Sequence, residues 1–235
     1  MAPSLPFFSR SSLFRKEGGV ISAGHHSAMR KSGRVLPPGF TPVEYLQSSG
    51  TQYINTGVLP SAGMEIGVKC SASSVSANGW DGVVGTWIVD ESDKCISVRY
   101  NNMTKIAPTY AGAVRYAGVG EWISIQSGSI LEIVLREGFA SINGTEYTWN
   151  TVPLTVPSFP FFCFVENLGG SPWNGRYLKG RIYYLWMLRN GKPVFDAIPV
   201  RSGSTGYLYD FVSKSALGNA GTGAFTYGSD VDFNG

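Results

Sequence analysis

The sequence is poor in charge, histidine, cysteine and long apolar runs, and each shortage excludes something. Asp, Glu, Lys and Arg make up 15% of 235 residues, so the surface is largely uncharged or covered by partners. The two histidines, His25 and His26, are adjacent in a segment without hydrophobic periodicity. No Ser/His/Asp or Cys/His arrangement can therefore be drawn around a folded pocket. Cys70, Cys95 and Cys163 are widely spaced and odd in number, which argues against a disulfide framework or a zinc motif. They read as small buried hydrophobes, with a single disulfide left open. No run approaches the ~20 apolar residues of a membrane span. Leu5–Phe8 is too short, and interrupted by Pro6, for a secretory signal. A helical stripe of apolar residues is missing throughout.

What is abundant is turn chemistry and aromatics. Thirty glycines, 13 prolines and 13% aromatic residues suit many short strands. The net charge of +3 is unevenly placed. Arg10, Arg15, Lys16, Arg30, Lys31 and Arg34 face only Glu17 in residues 1–36, while the remainder carries 13 basic and 15 acidic residues. The near-neutral remainder does not look like a nucleic-acid-binding domain. Residues 1–37 read as an extended basic N-terminal arm, too polar to fold alone. Phe7, Phe8, Leu13 and Phe14 are its apolar anchors, and Pro37-Pro38-Gly39 marks the joint to a domain spanning residues 38–235.

Within the domain the pattern is strand after strand. Val43–Gln47 and Thr51–Asn55 are short. Met64–Cys70 alternates, with Met64, Ile66, Val68 and Cys70 on one face. Gly82–Val89 and Cys95–Tyr100 follow, with Asp90-Glu91-Ser92-Asp93 read as a solvated loop between them. Ile130–Arg136 and Phe139–Ile142 lead to a hairpin at Asn143-Gly144, and Phe161–Asn167 is a strongly apolar strand. Arg181 to Leu188 and Lys192 to Val200 are joined by Asn190-Gly191, the pair that tolerates positive φ in a type I′ turn. Their near-continuous apolar character predicts strands buried on both faces. Ala224–Tyr227 closes the sheet. The expected fold is all-β, two packed antiparallel sheets.

Two stretches carry a resemblance. KGRIYYLWMLRNGKPVFDAIPVR (Lys179–Arg201), followed by GYLYDFVSKSALGNAGTGAFTYG (Gly206–Gly228), resembles the C-terminal signature of LamG-like, concanavalin A-type jelly-roll domains of bacteriophage and prophage structural proteins. FTPVEYLQSSGTQYINTGV (Phe40–Val58) resembles the opening signature of the same family. The resemblance implies a jelly-roll sandwich in a virion protein of capsid surface or tail. Its partners would be major capsid or tail proteins, reached by Phe7, Phe8, Leu13, Phe14 and the arm's Arg and Lys residues. Host-surface glycan is a further expected partner, self-association is left open, and no membrane or specific nucleic acid is expected. The fold also hosts free lectins and glycosidases.

The residues discriminate among these. A retaining glycosidase needs two carboxylates about 5–5.5 Å apart. The hydrolases of the superfamily place them in a Glu-x-Asp-x-x-Glu strand, and no such pattern occurs. A non-enzymatic role without cofactor is the expectation. Asp90 and Asp93, with Asn101 and Asn102, are the only weak candidates for a Ca²⁺ site. Sugar rings stack on aromatics and take hydrogen bonds from Asn, Asp and Arg. Asn78-Gly79-Trp80-Asp81 and Ser171-Pro172-Trp173-Asn174-Gly175-Arg176 have that chemistry. Trp80, Asp81, Trp173, Asn174 and Arg176 are the candidate glycan contacts, though a Trp in either loop also suits core packing or a protein interface.

Overall fold

The computed structural model describes residues 34–77, 79–88, 91–111, 122–150 and 153–232, with backbone alone at 91–94. These residues form 19 strands and no helix. In chain order they are β1 (Thr41–Pro42), β2 (Leu46–Ser49), β3 (Ile54–Asn55), β4 (Met64–Ser74), β5 (Asp81–Ile88), β6 (Glu91–Asn102), β7 (Lys105–Tyr110), β8 (Ile123–Ser124), β9 (Leu131–Arg136) and β10 (Phe139–Ile142). There follow β11 (Thr145–Thr148), β12 (Phe162–Cys163), β13 (Glu166–Leu168), β14 (Ser171–Pro172), β15 (Lys179–Arg189), β16 (Lys192–Ser202), β17 (Thr205–Asp210), β18 (Ser215–Leu217) and β19 (Thr226–Tyr227).

The strands build two sheets. The larger has eleven strands along the path β11-β10-β9-β4-β15-β16-β17-β18, with β1 on β16 and β19 on β2, which pairs β15. The smaller has eight along β14-β13-β5-β6-β7-β8, with β12 joining β3 to β5. Pairing is antiparallel except between β13 and β5. The sequence pattern explains most of this. Met64, Ile66, Val68 and Cys70 all enter the core between the sheets, as strict alternation requires. Asn190 (φ 49°) and Gly191 (φ 75°) make the β15–β16 turn, and Asn143 (φ 49°) and Gly144 (φ 82°) the β10–β11 turn. Strand β15 is buried on both faces over Tyr184–Leu188. Burying a Phe or Leu such as Phe161, Phe195 or Leu185 contributes ~1.5–3 kcal/mol each. Cys70, Cys95 and Cys163 are buried thiols; burial pushes the Cys70 thiol up to about 12.

Three local expectations are corrected. The acidic run is not simply a loop between strands: β6 begins at Glu91, which pairs with Ile88, and the register then shifts so that the next paired residue is Cys95, opposite Trp87. The stretch Phe161–Asn167 is not one strand. Phe164 has φ 67°, and this left-handed residue splits it into antiparallel β12 and parallel β13. Arg34 does not point away with the arm. Its guanidinium pairs with Asp196 and lies 5.0 Å from the Phe211 ring centre. Phe7, Phe8, Arg10, Leu13, Phe14, Arg15, Lys16, Arg30 and Lys31 lie outside the described residues.

The Arg34 clasp sits on the outer face of the larger sheet, because Phe195 and Ala197, flanking Asp196, both enter the core. Tyr184, Trp186 and Leu188 form a second buried cluster on this face, against Val134. Trp186 fills the space a side chain at Gly67 would need. Beside them lies a cavity of about 320 Å³, lined by Val43, Lys69, Ile130, Tyr183, Ile198 and Val231 among others.

Candidate functional site

The outer face of the smaller sheet is where the two aromatic loops meet. On β5 and β6 the residues Val84, Ile96, Val98 and Tyr100 point into the core. Their alternates Gly85, Trp87, Ser97 and Arg99 therefore point outward. Gly79 and Trp80 precede β5 with φ of 63° and 68°. A tryptophan in the left-handed region is strained, and such strain persists where surrounding contacts enforce it. Here the backbone reversal carries the indole back over the sheet, where the Arg99 guanidinium lies 4.4 Å from its ring centre. The same guanidinium lies 4.2 Å from the Trp87 ring, so Arg99 is stacked against two indoles.

The line of contacts continues at both ends. Trp122, just before β8, meets Trp80 edge-on at 4.5 Å. Trp173, just after β14, meets Trp87 edge-on at 5.6 Å, and Arg176 stacks on Trp173 at 4.2 Å. The second loop is tied to the first by backbone: Gly82 N donates to Arg176 O at 3.0 Å, and Arg176 Nη1 donates to Gly79 O at 3.5 Å. All four indoles are half-buried, Arg176 is half-buried and Asn174 is exposed. Each cation over a ring face contributes ~0.5–2 kcal/mol, more where it is dry.

Beneath the rings is a buried charge pair. Glu166 at the start of β13 lies 3.6 Å from Arg99 Nη1, and both side chains are fully buried. Glu166 reaches this place because β5 has glycine at two positions. A methyl group at Gly82 or Gly85 would strike the Glu166 side chain or backbone, and at Gly85 also Ser97. Arg99 Nη2 donates to Thr109 Oγ1 at 3.5 Å. Ser97 and Arg99 are the polar groups that bear directly on the Glu166 carboxyl. Burial pushes the Glu166 carboxyl above the usual carboxylate range, opposed by Arg99, Ser97 and Arg176. Taking both charges out of water is costly, and their attraction at 3.6 Å offsets that cost only in part.

The candidate residues from the sequence separate. Trp80, Trp173, Asn174 and Arg176 are brought to one surface. Asp81 is not available to a ligand: it is buried and accepts from Ser76 N at 2.8 Å and Ser76 Oγ at 2.5 Å. Its role is to close the 76–81 turn that presents Trp80, and burial raises its carboxyl, opposed by those bonds. Asp90 and the side chain of Asp93 lie outside the described residues, and Asn102 Oδ1 is engaged by Thr104 N at 2.9 Å and Oγ1 at 3.0 Å. Among the described residues no group of three His, Cys, Asp or Glu could hold a metal. Trp87, Arg99, Trp122 and Glu166 escape a reading of the sequence. Alternation in Cys95–Tyr100 does put Arg99 on the polar face, but a lone Arg on such a face signals solvent.

The chemistry available is that of a binding surface. Indole faces attract the polarised C–H faces of sugar rings, and Asn174 and Arg176 offer directed donors at one end. Searches against family models, curated proteins and solved structures found no match for this chain.

Proposed function

We propose that this chain is a non-enzymatic phage virion appendage whose sandwich displays a glycan-binding face, fastened to capsid or tail by its N-terminal arm. The observation that carries the glycan reading is the convergence of Trp80 and Trp173, from loops far apart in sequence, on one indole–arginine surface. The virion reading rests on the two family-like signatures, Phe40–Val58 and Lys179–Gly228. Geometry supports their combination. Arg34, where the arm meets the domain, is clasped to Asp196 on the outer face of the larger sheet. The tryptophans sit on the outer face of the smaller sheet. In a two-layer sandwich these faces point in opposite directions, so attachment and display do not compete.

Two measurements test the two halves. On an array of bacterial surface polysaccharides the full chain is expected to bind, and the Trp173→Ala variant to lose at least tenfold in affinity at unchanged fold; a blank array removes the glycan reading. Mass spectrometry of gradient-purified particles is expected to find the chain at fixed stoichiometry to the major capsid protein. Its absence from particles would leave a free lectin as the reading of the same surface.

A further inference from the structure

The tryptophan surface is a line, and sheet register gives it direction and length. Ile123 on β8 pairs with Ile106 on β7. Ala107, the next residue of β7, pairs with Arg99 on β6, and Arg99 with Gly82 on β5. Gly82 then bridges to Tyr177. Trp122, adjacent to Ile123, and Arg176, adjacent to Tyr177, thus stand at opposite ends of one row crossing the strands, with Arg99 midway. Four inter-strand steps of ~4.8 Å make the row about 19 Å long. Trp80 and Trp87 reach the row from the two ends of β5 and meet on Arg99. Trp173 and Arg176 extend it beyond β5.

From this geometry we infer the ligand class: a linear, uncharged polysaccharide lying across the strands and bound along several consecutive sugar rings, not by its terminus. The inference rests on the glycan reading above and specifies it. Length supplies the first half of the argument. The row is several sugar rings long and is lined by indoles throughout, so a single terminal sugar would leave most of it uncovered. Charge supplies the second half. Arg99 is opposed by Glu166 at 3.6 Å, and Arg176 sits in the field of both Glu166 and Asp81. Among the described residues the two arginines of the row are each opposed by a carboxylate of the protein, which favours an uncharged sugar over an acidic one. Arg99 is completely buried. It is a positioning residue that holds Trp80 and Trp87, while Trp122 and Trp173 are the terminal contacts that measure chain length.

The test uses the full chain and a size series, from monosaccharide to octasaccharide, cut from whichever neutral polysaccharide binds most strongly on the array. Calorimetric affinity is expected to rise with each added ring and to level off once the row is spanned. Trp122→Ala is expected to weaken the octasaccharide about tenfold, the equivalent of ~1.4 kcal/mol, and to bring the plateau to a shorter oligosaccharide. Trp173→Ala, at the other end, provides an independent variant should the first not fold, with the same expected shortening. Raising the salt concentration is expected to leave affinity unchanged, since no net ion pairing is involved. A monosaccharide or disaccharide binding as tightly as the octasaccharide would overturn the inference while leaving the glycan reading intact. Selective binding of acidic polysaccharides with steep salt dependence would overturn it as well. No binding to any polysaccharide would remove the glycan reading itself, and this inference with it.

Discussion

The two outer faces of the sandwich use the same parts and arrive at different ends. Each has an arginine over at least one aromatic ring and a buried carboxylate. On the larger sheet the parts are closed upon themselves. Asp210 accepts from Asp196 N, Val212 N, Ser213 N and Ser213 Oγ at 2.8, 3.1, 3.0 and 2.6 Å, Arg34 pairs with Asp196, and Tyr184, Trp186 and Leu188 are at most 3% exposed. On the smaller sheet Arg99 and Glu166 form a fully buried pair at 3.6 Å, and four indoles remain half-buried. The two faces differ in exposure: a fully buried cluster holds a fold together, whereas half-buried indoles leave ring surface that a ligand can cover.

This contrast can be broken or sharpened by substitution. The largest effect belongs to the closed face. Trp186→Ala should cost about 3–5 kcal/mol in chemical denaturation, the usual range for a buried Trp or Phe, and leave polysaccharide affinity unchanged in the folded protein. Next is Glu166→Ala, which strands a buried guanidinium and should cost about 3 kcal/mol. Combining it with Arg99→Met should recover most of that loss. A double variant no more stable than the single one would show that the pair itself stabilises the fold. Trp173→Ala comes third on stability, at about 1 kcal/mol or less for a half-exposed side chain, yet should be the most damaging to binding.

The smallest effect is on pH. Glu166, Asp81 and Asp196 all have carboxyls raised by burial. Between the ordinary carboxylate value, about 4, and their raised values, the folded chain holds more protons than the unfolded one. Stability therefore falls as pH rises through that window and is greater on its acid side. Glu166→Gln should flatten this slope in urea midpoints measured across the window. An unchanged slope would mean that Glu166 titrates normally.

Much of the fold was legible because it obeys local rules. Alternation placed Met64, Ile66, Val68 and Cys70, and Asn-Gly pairs placed two hairpins. Half the site was legible for the same reason: Trp80, Trp173, Asn174 and Arg176 stand in loops whose composition advertises binding. The rest depends on contacts between strands distant in sequence. Glu166 is buried because glycines stand opposite it at positions 82 and 85, and nothing around Glu166 in the chain signals that. Arg99 is dry only because two indoles arrive from opposite ends of another strand. Asp81 looked like a ligand contact, but its carboxylate closes a turn. Arg34 belonged by composition to the arm, yet its partner Asp196 lies 162 positions away.

The central claim is that the smaller sheet's tryptophans, and not those of the larger sheet, meet the ligand. The six tryptophans of this chain provide six indole N–H probes. In a ¹⁵N-tryptophan-labelled sample titrated with the array-selected polysaccharide, the resonances of Trp80, Trp87, Trp122 and Trp173 should shift together, while those of Trp149 and Trp186 stay in place. A shift confined to Trp186, or four unmoved resonances at saturating polysaccharide, would contradict the account and move attention to the cavity beside Tyr183 and Ile198 on the opposite face.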